Sequence, residues 1–165
     1  MDEKEQAIAA IRKKLVGKNL NYKEIFAIMD QISKEKLGDV LTTYFAASGF
    51  SKGFSDDEIY YLTKAMIETG EKLSFSGIVA DKHSIGGVPG TRTTMIVVPI
   101  VAAAGFKIPK SSSRAITTPG GTADDFEILA PVNLSKQKIY ATVKKTNGCI
   151  VWGGSFNIAP ADDVI

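Results

Sequence analysis

Apolar positions in the first half of the chain recur at helical spacing. Ile8, Ile11 and Leu15 form one stripe, and Gly17 stops it. Asn21 followed by Glu24 has the form of a capping box, and Ile25, Ile28, Met29 and Ile32 make a second stripe behind it. Leu37, Val40, Leu41, Tyr44 and Phe45 predict a third helix ending near Gly49. Ser55-Asp56-Asp57-Glu58 is the strongest helix-start signal in the chain, and it opens a helix carrying Ile59, Leu62 and Met66 that closes at Gly70. Four short amphipathic helices in succession predict a small helical bundle. A layer this thin has apolar surface left over to bury against a second copy.

Beyond residue 76 the period changes. Gly77-Ile78-Val79-Ala80 is a short apolar run bounded by glycine and charge, the form of a buried parallel strand. A glycine-rich loop follows, then the run Met95 to Ala104, too long and alanine-rich for a strand. It predicts a buried helix ending at Gly105, with Pro99 kinking it or loosening one turn. Phe106 to Pro109 predicts a second strand, Lys110 to Thr122 a Ser/Thr/Gly loop, and Ala123 to Leu129 a short helix. Asn133 or Ser135 caps a further helix through Ile139 and Val143 to Asn147-Gly148, and Cys149 to Trp152 predicts a third strand. Strand alternating with helix means a parallel sheet. The fold class is therefore α/β, with an N-terminal helical bundle domain over 1–74 followed by the first part of a parallel α/β sheet domain over 75–165. Three or four strands are few for a sheet covered on both faces, so the chain is expected to be a piece of something longer.

Composition narrows the function classes. The 165 residues are 44% apolar and 23% charged, which excludes disordered and collagen-like chains. A net charge of +2 is too balanced for a dedicated nucleic-acid or membrane-surface protein, so neither is expected as a partner. The one cysteine, Cys149, has no internal partner and points to a reducing compartment. No apolar run reaches the length of a membrane span, and the N-terminal segment lacks a signal peptide's apolar core, so a cytoplasmic protein is expected. The distribution of charge is more telling than its sum. From Lys82 to Thr122 there are five basic residues (Lys82, Arg92, Lys107, Lys110 and Arg114), no acid, and ten serines or threonines. That is the profile of a small anion site.

Two loops carry it. In the first, Asp81-Lys82-His83-Ser84-Ile85-Gly86-Gly87 and the residues up to Thr94 lead from a strand through a glycine-rich turn into a helix start. Glycines let the backbone approach an anion, the helix start offers free N–H groups, Lys82 supplies a charge, and Ser84 and Thr94 supply hydroxyls. Neither a Walker loop nor a dinucleotide fingerprint is present, and a Gly-Gly turn here is equally compatible with a purely structural role. The second loop, Lys110 through Asp124, also follows a strand, so both loops emerge at the carboxyl edge of a parallel sheet, where ligands bind in open α/β folds. His83, the single histidine, sits between Lys82 and Ser84, a placement that favours a ligand contact over metal binding. Cys149 reads as an inert core thiol, Trp152 as packing, and Ala159 to Asp163 as a solvated turn.

These residues resemble the thymidine phosphorylase/AMP phosphorylase family. The matching motifs are Lys82-His83-Ser84-x-Gly86-Gly87, Ser113-Arg114, Gly120-Gly121-Thr122-x-Asp124 and Ala159-Pro160-Ala161-Asp162, collinear from about Gln6 to the last residue. The resemblance implies a dimer, with a small helical domain packed beside a larger α/β domain. It implies phosphorolysis, in which phosphate displaces a base from the sugar's anomeric carbon. It implies that Lys82, Ser84, Thr94, Ser112 and Thr122 hold phosphate, and that His83, the catalytic candidate, lies beside the base or sugar. Ser113-Arg114-Ala115-Ile116-Thr117-Thr118 and the Pro89 insertion resemble the AMP branch, in which that run, with Gly87 and Thr122, contacts the nucleotide. Arg114 with the Ser/Thr cluster suits a second, 5′ phosphate.

The expected reaction is phosphorolysis of a nucleoside 5′-monophosphate such as AMP to free base and ribose 1,5-bisphosphate, without cofactor or metal. Inorganic phosphate and a nucleotide or nucleoside are the expected partners, with a homodimer through the helical domain. The resemblance places the general acid and the base-reading lysine and serine just past Ile165. The 165-residue chain alone is therefore expected to recognise phosphate and to turn over substrate negligibly. Three other readings stand beside this one: a pyrimidine nucleoside (thymidine) phosphorylase, a non-catalytic phosphate-binding or dimerisation module, and a magnesium-dependent phosphoribosyltransferase of similar organisation.

Overall fold

The computed structural model describes residues 2–83, 92–115 and 120–165, with residues 51 and 52 as backbone only. The chain divides into two compact units, one made of Met1–Lys72 with Asn157–Ile165 and the other of Leu73–Phe156.

The helical unit contains α1 (Glu3–Leu15), α2 (Tyr22–Ser33), α3 (Asp39–Lys52) and α4 (Asp56–Thr69). The Asn21 and Ser55 side chains each accept from the backbone N–H three residues on, so both expected capping boxes form. α2 is the spine of the unit, packed against α1 and α4, and its Ile25, Ile28, Met29 and Ile32 are all buried. Elsewhere the buried face differs from the apolar stripe. On α1 it is Ala7, Ala10, Ile11 and Lys14, while Leu15 is 48% exposed. On α3 and α4, Val40, Tyr44 and Ile59 face solvent, whereas Phe45, Glu58 and Ala65 are buried. Small side chains at Ala7, Ala10 and Ala65 permit close helix packing, and a buried ion pair joins Lys14 of α1 to Glu58 of α4. Ala161, expected in a solvated turn, is fully buried in this core. Gly70 is required where α4 ends, because a Cβ there would lie 1.9 Å from the Ile158 carbonyl oxygen.

The α/β unit contains α5 (Arg92–Ala103), β1 (Ile108–Ser112), α6 (Thr122–Glu127), α7 (Lys136–Thr146), β2 (Gly148–Trp152) and a 3-10 turn (Gly153–Phe156). β1 and β2 are parallel, in register from Ile108 opposite Gly148 to Ser112 opposite Trp152. The strand expected over Gly77–Ala80 is reduced to one parallel bridge between Val79 and Lys107, and Ile78 is 70% exposed. β1 begins two residues later than expected and runs into the Ser/Thr segment. α5 is helical through Pro99, but it is not a buried helix. Thr94 and Val98 are buried, while Ile96 and Ile100 are 59% and 62% exposed. Val98, Ile108 and Ile150 form the centre of this core, with Met95, Val101, Ala102 and Phe126 packed around them. Ser135 caps α7, and Asn147 ends it in the left-handed conformation at φ 62°.

Candidate functional site

The bridge at Val79 places Asp81, Lys82 and His83 at the carboxyl end of the first strand-like segment. Lys82 Nζ donates to Thr94 Oγ1 at 3.1 Å, and Thr94 lies in the first turn of α5 with only 1% exposure. Asp81 is the hub of this group. Its Oδ2 is 2.8 Å from His83 Nε2 and its Oδ1 is 3.6 Å from Lys110 Nζ on β1. Lys110 is buried, which pushes its ammonium pKa down, and the neighbouring charge of Lys82 adds to that while Asp81 opposes it. The two lysines repel each other with one carboxylate beside them, and an anion entering there would relieve that repulsion.

The second loop leaves β1 at Ser112, opposite Trp152 of β2. The Ser112 hydroxyl donates to the Ser113 carbonyl at 3.1 Å, and Ser113 and Ala115 are exposed. Arg114 is held on three sides. Its Nη1 donates to Asp124 Oδ1 at 2.7 Å and to Glu127 Oε2 at 2.8 Å, its Nη2 donates to Glu127 Oε1 at 3.2 Å, and its guanidinium lies 4.9 Å over the Trp152 ring. These carboxylates raise the Arg114 pKa further, while the Gly121 amide and Arg114 hold Asp124 below the ordinary carboxylate range. Gly121 is pressed against the loop, since a Cβ there would lie 2.6 Å from the Arg114 carbonyl carbon. Half-buried Thr122 follows it as the first residue of α6.

Among the expected site residues the structure therefore joins Lys82 to Thr94, and Arg114 to the Gly121–Asp124 turn. Ser84, Gly86, Gly87, Ile116, Thr117 and Thr118 lie outside the described residues. The acid-free stretch of sequence is not acid-free in space. Asp81, Asp124 and Glu127 flank it, and folding brings them back onto His83, Lys110 and Arg114. Asp81, Lys110 and Asp124 stand inside the two loops in the sequence without an assigned role, whereas sequence reasoning missed Glu127 and gave Trp152 packing alone; the signal for Glu127 was its place three residues after Asp124 on the same short helix. Burial pushes the Cys149 thiol up to about 11, in keeping with an unreactive thiol.

Residues 8–70 match the helical bundle domain of the glycosyl transferase family, and residues 76–165 match that family's a/b domain. A relative from Legionella pneumophila (strain Paris), named as a thymidine phosphorylase, is 50% identical over 161 residues, covering 97% of this chain and 31% of its own length. An AMP phosphorylase from Thermofilum pendens is 49% identical over 160 residues, covering 96% of this chain and 31% of its own. The chain spans about a third of the length of these curated relatives. Anthranilate phosphoribosyltransferase from Thermus thermophilus superposes with a TM-score of 0.69 at 19% identity, over 94% of this chain and 48% of that one, a likeness of fold. Among the described residues, no helix is long and apolar enough to cross a membrane.

Proposed function

Because the chain belongs to the glycosyl transferase family, we propose that it carries the phosphate-binding half of a nucleotide phosphorylase site acting on an AMP-like nucleoside 5′-monophosphate. A phosphate oxygen attacks the anomeric carbon as the bond to the base nitrogen breaks. The base leaves with the bond's electron pair and takes a proton, and ribose 1,5-bisphosphate is formed. Charge develops on the sugar as the bond stretches, so a phosphate held against that carbon both stabilises the charge and attacks it. Lys82 and Thr94 hold this phosphate with Ser84, Ser112 and Thr122, and His83 borders the base or sugar. Arg114 and the run from Ser113 to Thr118, with Gly86 and Gly87, receive the nucleotide.

The observation that carries the reading is the Lys82–Thr94 contact beside the Asp81–Lys110 pair, a partly shielded cation cluster at the carboxyl edge of a parallel sheet. The AMP phosphorylase relative supports the nucleotide as substrate, and the Legionella relative supports a second reading in which a pyrimidine nucleoside takes its place. Thermal-shift titrations with phosphate and each ligand separate them. AMP is expected to raise Tm more than thymidine or uridine. Stabilisation by thymidine or uridine alone transfers the conclusion to the second reading, and stabilisation by phosphate alone points to a binding module without turnover.

The same reading includes a homodimer through the helical unit, where Val40 and Tyr44 on α3 and Ile59, Tyr60 and Ile67 on α4 are more than half exposed. A single cysteine suits a reducing, cytoplasmic setting.

A further inference from the structure

We propose that Asp124 is a positioning residue for the nucleotide: it staples the two ends of the second loop together and holds the Arg114 guanidinium ready for the substrate's 5′-phosphate. The proposal rests on the reading of that loop as a nucleotide site. A carboxylate three residues into a helix ordinarily accepts one N–H at its own helix start, and Asp124 Oδ2 does accept the Gly121 N–H at 2.9 Å. Capping does not account for the rest. The same oxygen accepts the Ala115 N–H at 2.7 Å from the other end of the loop, and Oδ1 accepts from Arg114 Nη1 at 2.7 Å. One side chain therefore ties the descending end of the loop, its returning end and its only arginine.

Two further observations bear on orientation. The bare backbone of Gly121 lies so close to the Arg114 carbonyl that no Cβ fits, so the two loop ends are in direct apposition where Asp124 joins them. The guanidinium plane is also backed by Trp152 at 4.9 Å. An arginine fixed in this way has less rotamer freedom to lose when an anion arrives, which is how a prearranged site gains affinity. Glu127 is the other carboxylate on Arg114 and the more exposed of the two, at 41% against 29% for Asp124, so it is the partner that an incoming phosphate replaces.

Electrostatics alone and positioning predict opposite signs, which makes the test decisive. Removing a negative charge beside Arg114 strengthens anion binding if charge is all that matters, and weakens it if Asp124 holds the arginine in place. Calorimetric titration of the full chain with AMP and with adenosine reads the difference. The wild type is expected to prefer AMP. Asp124→Asn is expected to lower AMP affinity about tenfold, the scale of a charge-assisted hydrogen bond, with adenosine affinity changed less than twofold. Glu127→Gln, which removes the negative charge that phosphate displaces, is expected to bind AMP more tightly than the wild type, and weaker binding counts against that exchange. Amide hydrogen exchange gives a ligand-free readout: Ala115 and Gly121 lose protection in Asp124→Asn and keep it in Glu127→Gln. If Asp124→Asn does not fold, Asp124→Glu serves, since its charge is kept but the added methylene moves the carboxylate off the two amides, and the same losses are expected. Undiminished AMP affinity in the Asp124 variant, or protection retained at both amides, overturns the proposal. A wild type without preference for AMP overturns the underlying nucleotide reading, and that failure is visible before any variant is made.

Discussion

Lys14 and Glu58 meet inside the helical unit, with side chains 3% and 0% exposed and Nζ 2.8 Å from Oε2. Glu58 also accepts the backbone N–H groups of Leu20 and Ser55, each at 2.9 Å, and Lys14 lies 4.7 Å over the Phe54 ring. Burial alone would push the Glu58 carboxyl up, but the ammonium and the two amides override burial and hold it below its ordinary value. Removing one member leaves a buried charge unpaired, at a cost of about 3–5 kcal/mol. Lys14→Met is therefore expected to lower the unfolding free energy of the helical unit by that amount in urea titrations, whereas a change below about 1 kcal/mol would mean that water reaches the site. The pH dependence has a definite sign. Because the folded value is depressed, the stabilisation is complete above the unfolded value, about 4.3, and is lost as pH falls through the folded one. Acid unfolding of the wild type below about pH 4.3 is expected to be steeper than that of Glu58→Gln, and parallel profiles would contradict this. In the sequence Glu58 is visible only as the last member of a capping box. Its second role depends on a lysine 44 positions away, which no local pattern reveals.

At the scale of elements, what was legible in the sequence was what is locally determined. The α2 stripe and both capping boxes lie within one or two helical turns, and they form as read. Leu15, Val40 and Ile59 are apolar residues at correct helical spacing that nevertheless face solvent, because a stripe does not specify which neighbour covers it. Val79 keeps one bridge instead of a strand because pairing depends on what lies beside it. The site divides in the same way. Lys82 and Thr94 were legible from the composition of their loop, whereas the pairing of Asp81 with His83 and Lys110, and of Asp124 with Arg114, joins positions that no local pattern links and appears only in space. The junction of the second loop with α6 yields a prediction at this scale. The backbone around Arg114 must move to admit a methyl group at residue 121, so Gly121→Ala is expected to destabilise the α/β unit by about 1–3 kcal/mol and to weaken AMP binding with it. Denaturant titration and calorimetry on the same sample check both effects, and an unperturbed variant would mean that the loop is not pressed onto Gly121.

For the whole molecule, the proposed dimer contact and the proposed phosphate site fall on different units. The helical unit offers exposed apolar side chains on α3 and α4, and the α/β unit carries the basic, hydroxyl-rich loops. A dimer through the helical unit predicts twice the mass of the 17.7 kDa chain by light scattering at tens of micromolar, roughly the range of a micromolar Kd. A monomer at that concentration contradicts it. The phosphate site is the more central matter, because the proposed chemistry depends on it. Calorimetry with inorganic phosphate tests it without requiring turnover or any particular base. The wild-type chain is expected to take up one phosphate, and Lys82→Ala is expected to bind it at least about tenfold more weakly, the loss anticipated for one charge-assisted contact in a partly shielded site. Equal affinity in the two proteins would contradict a phosphate site built on Lys82.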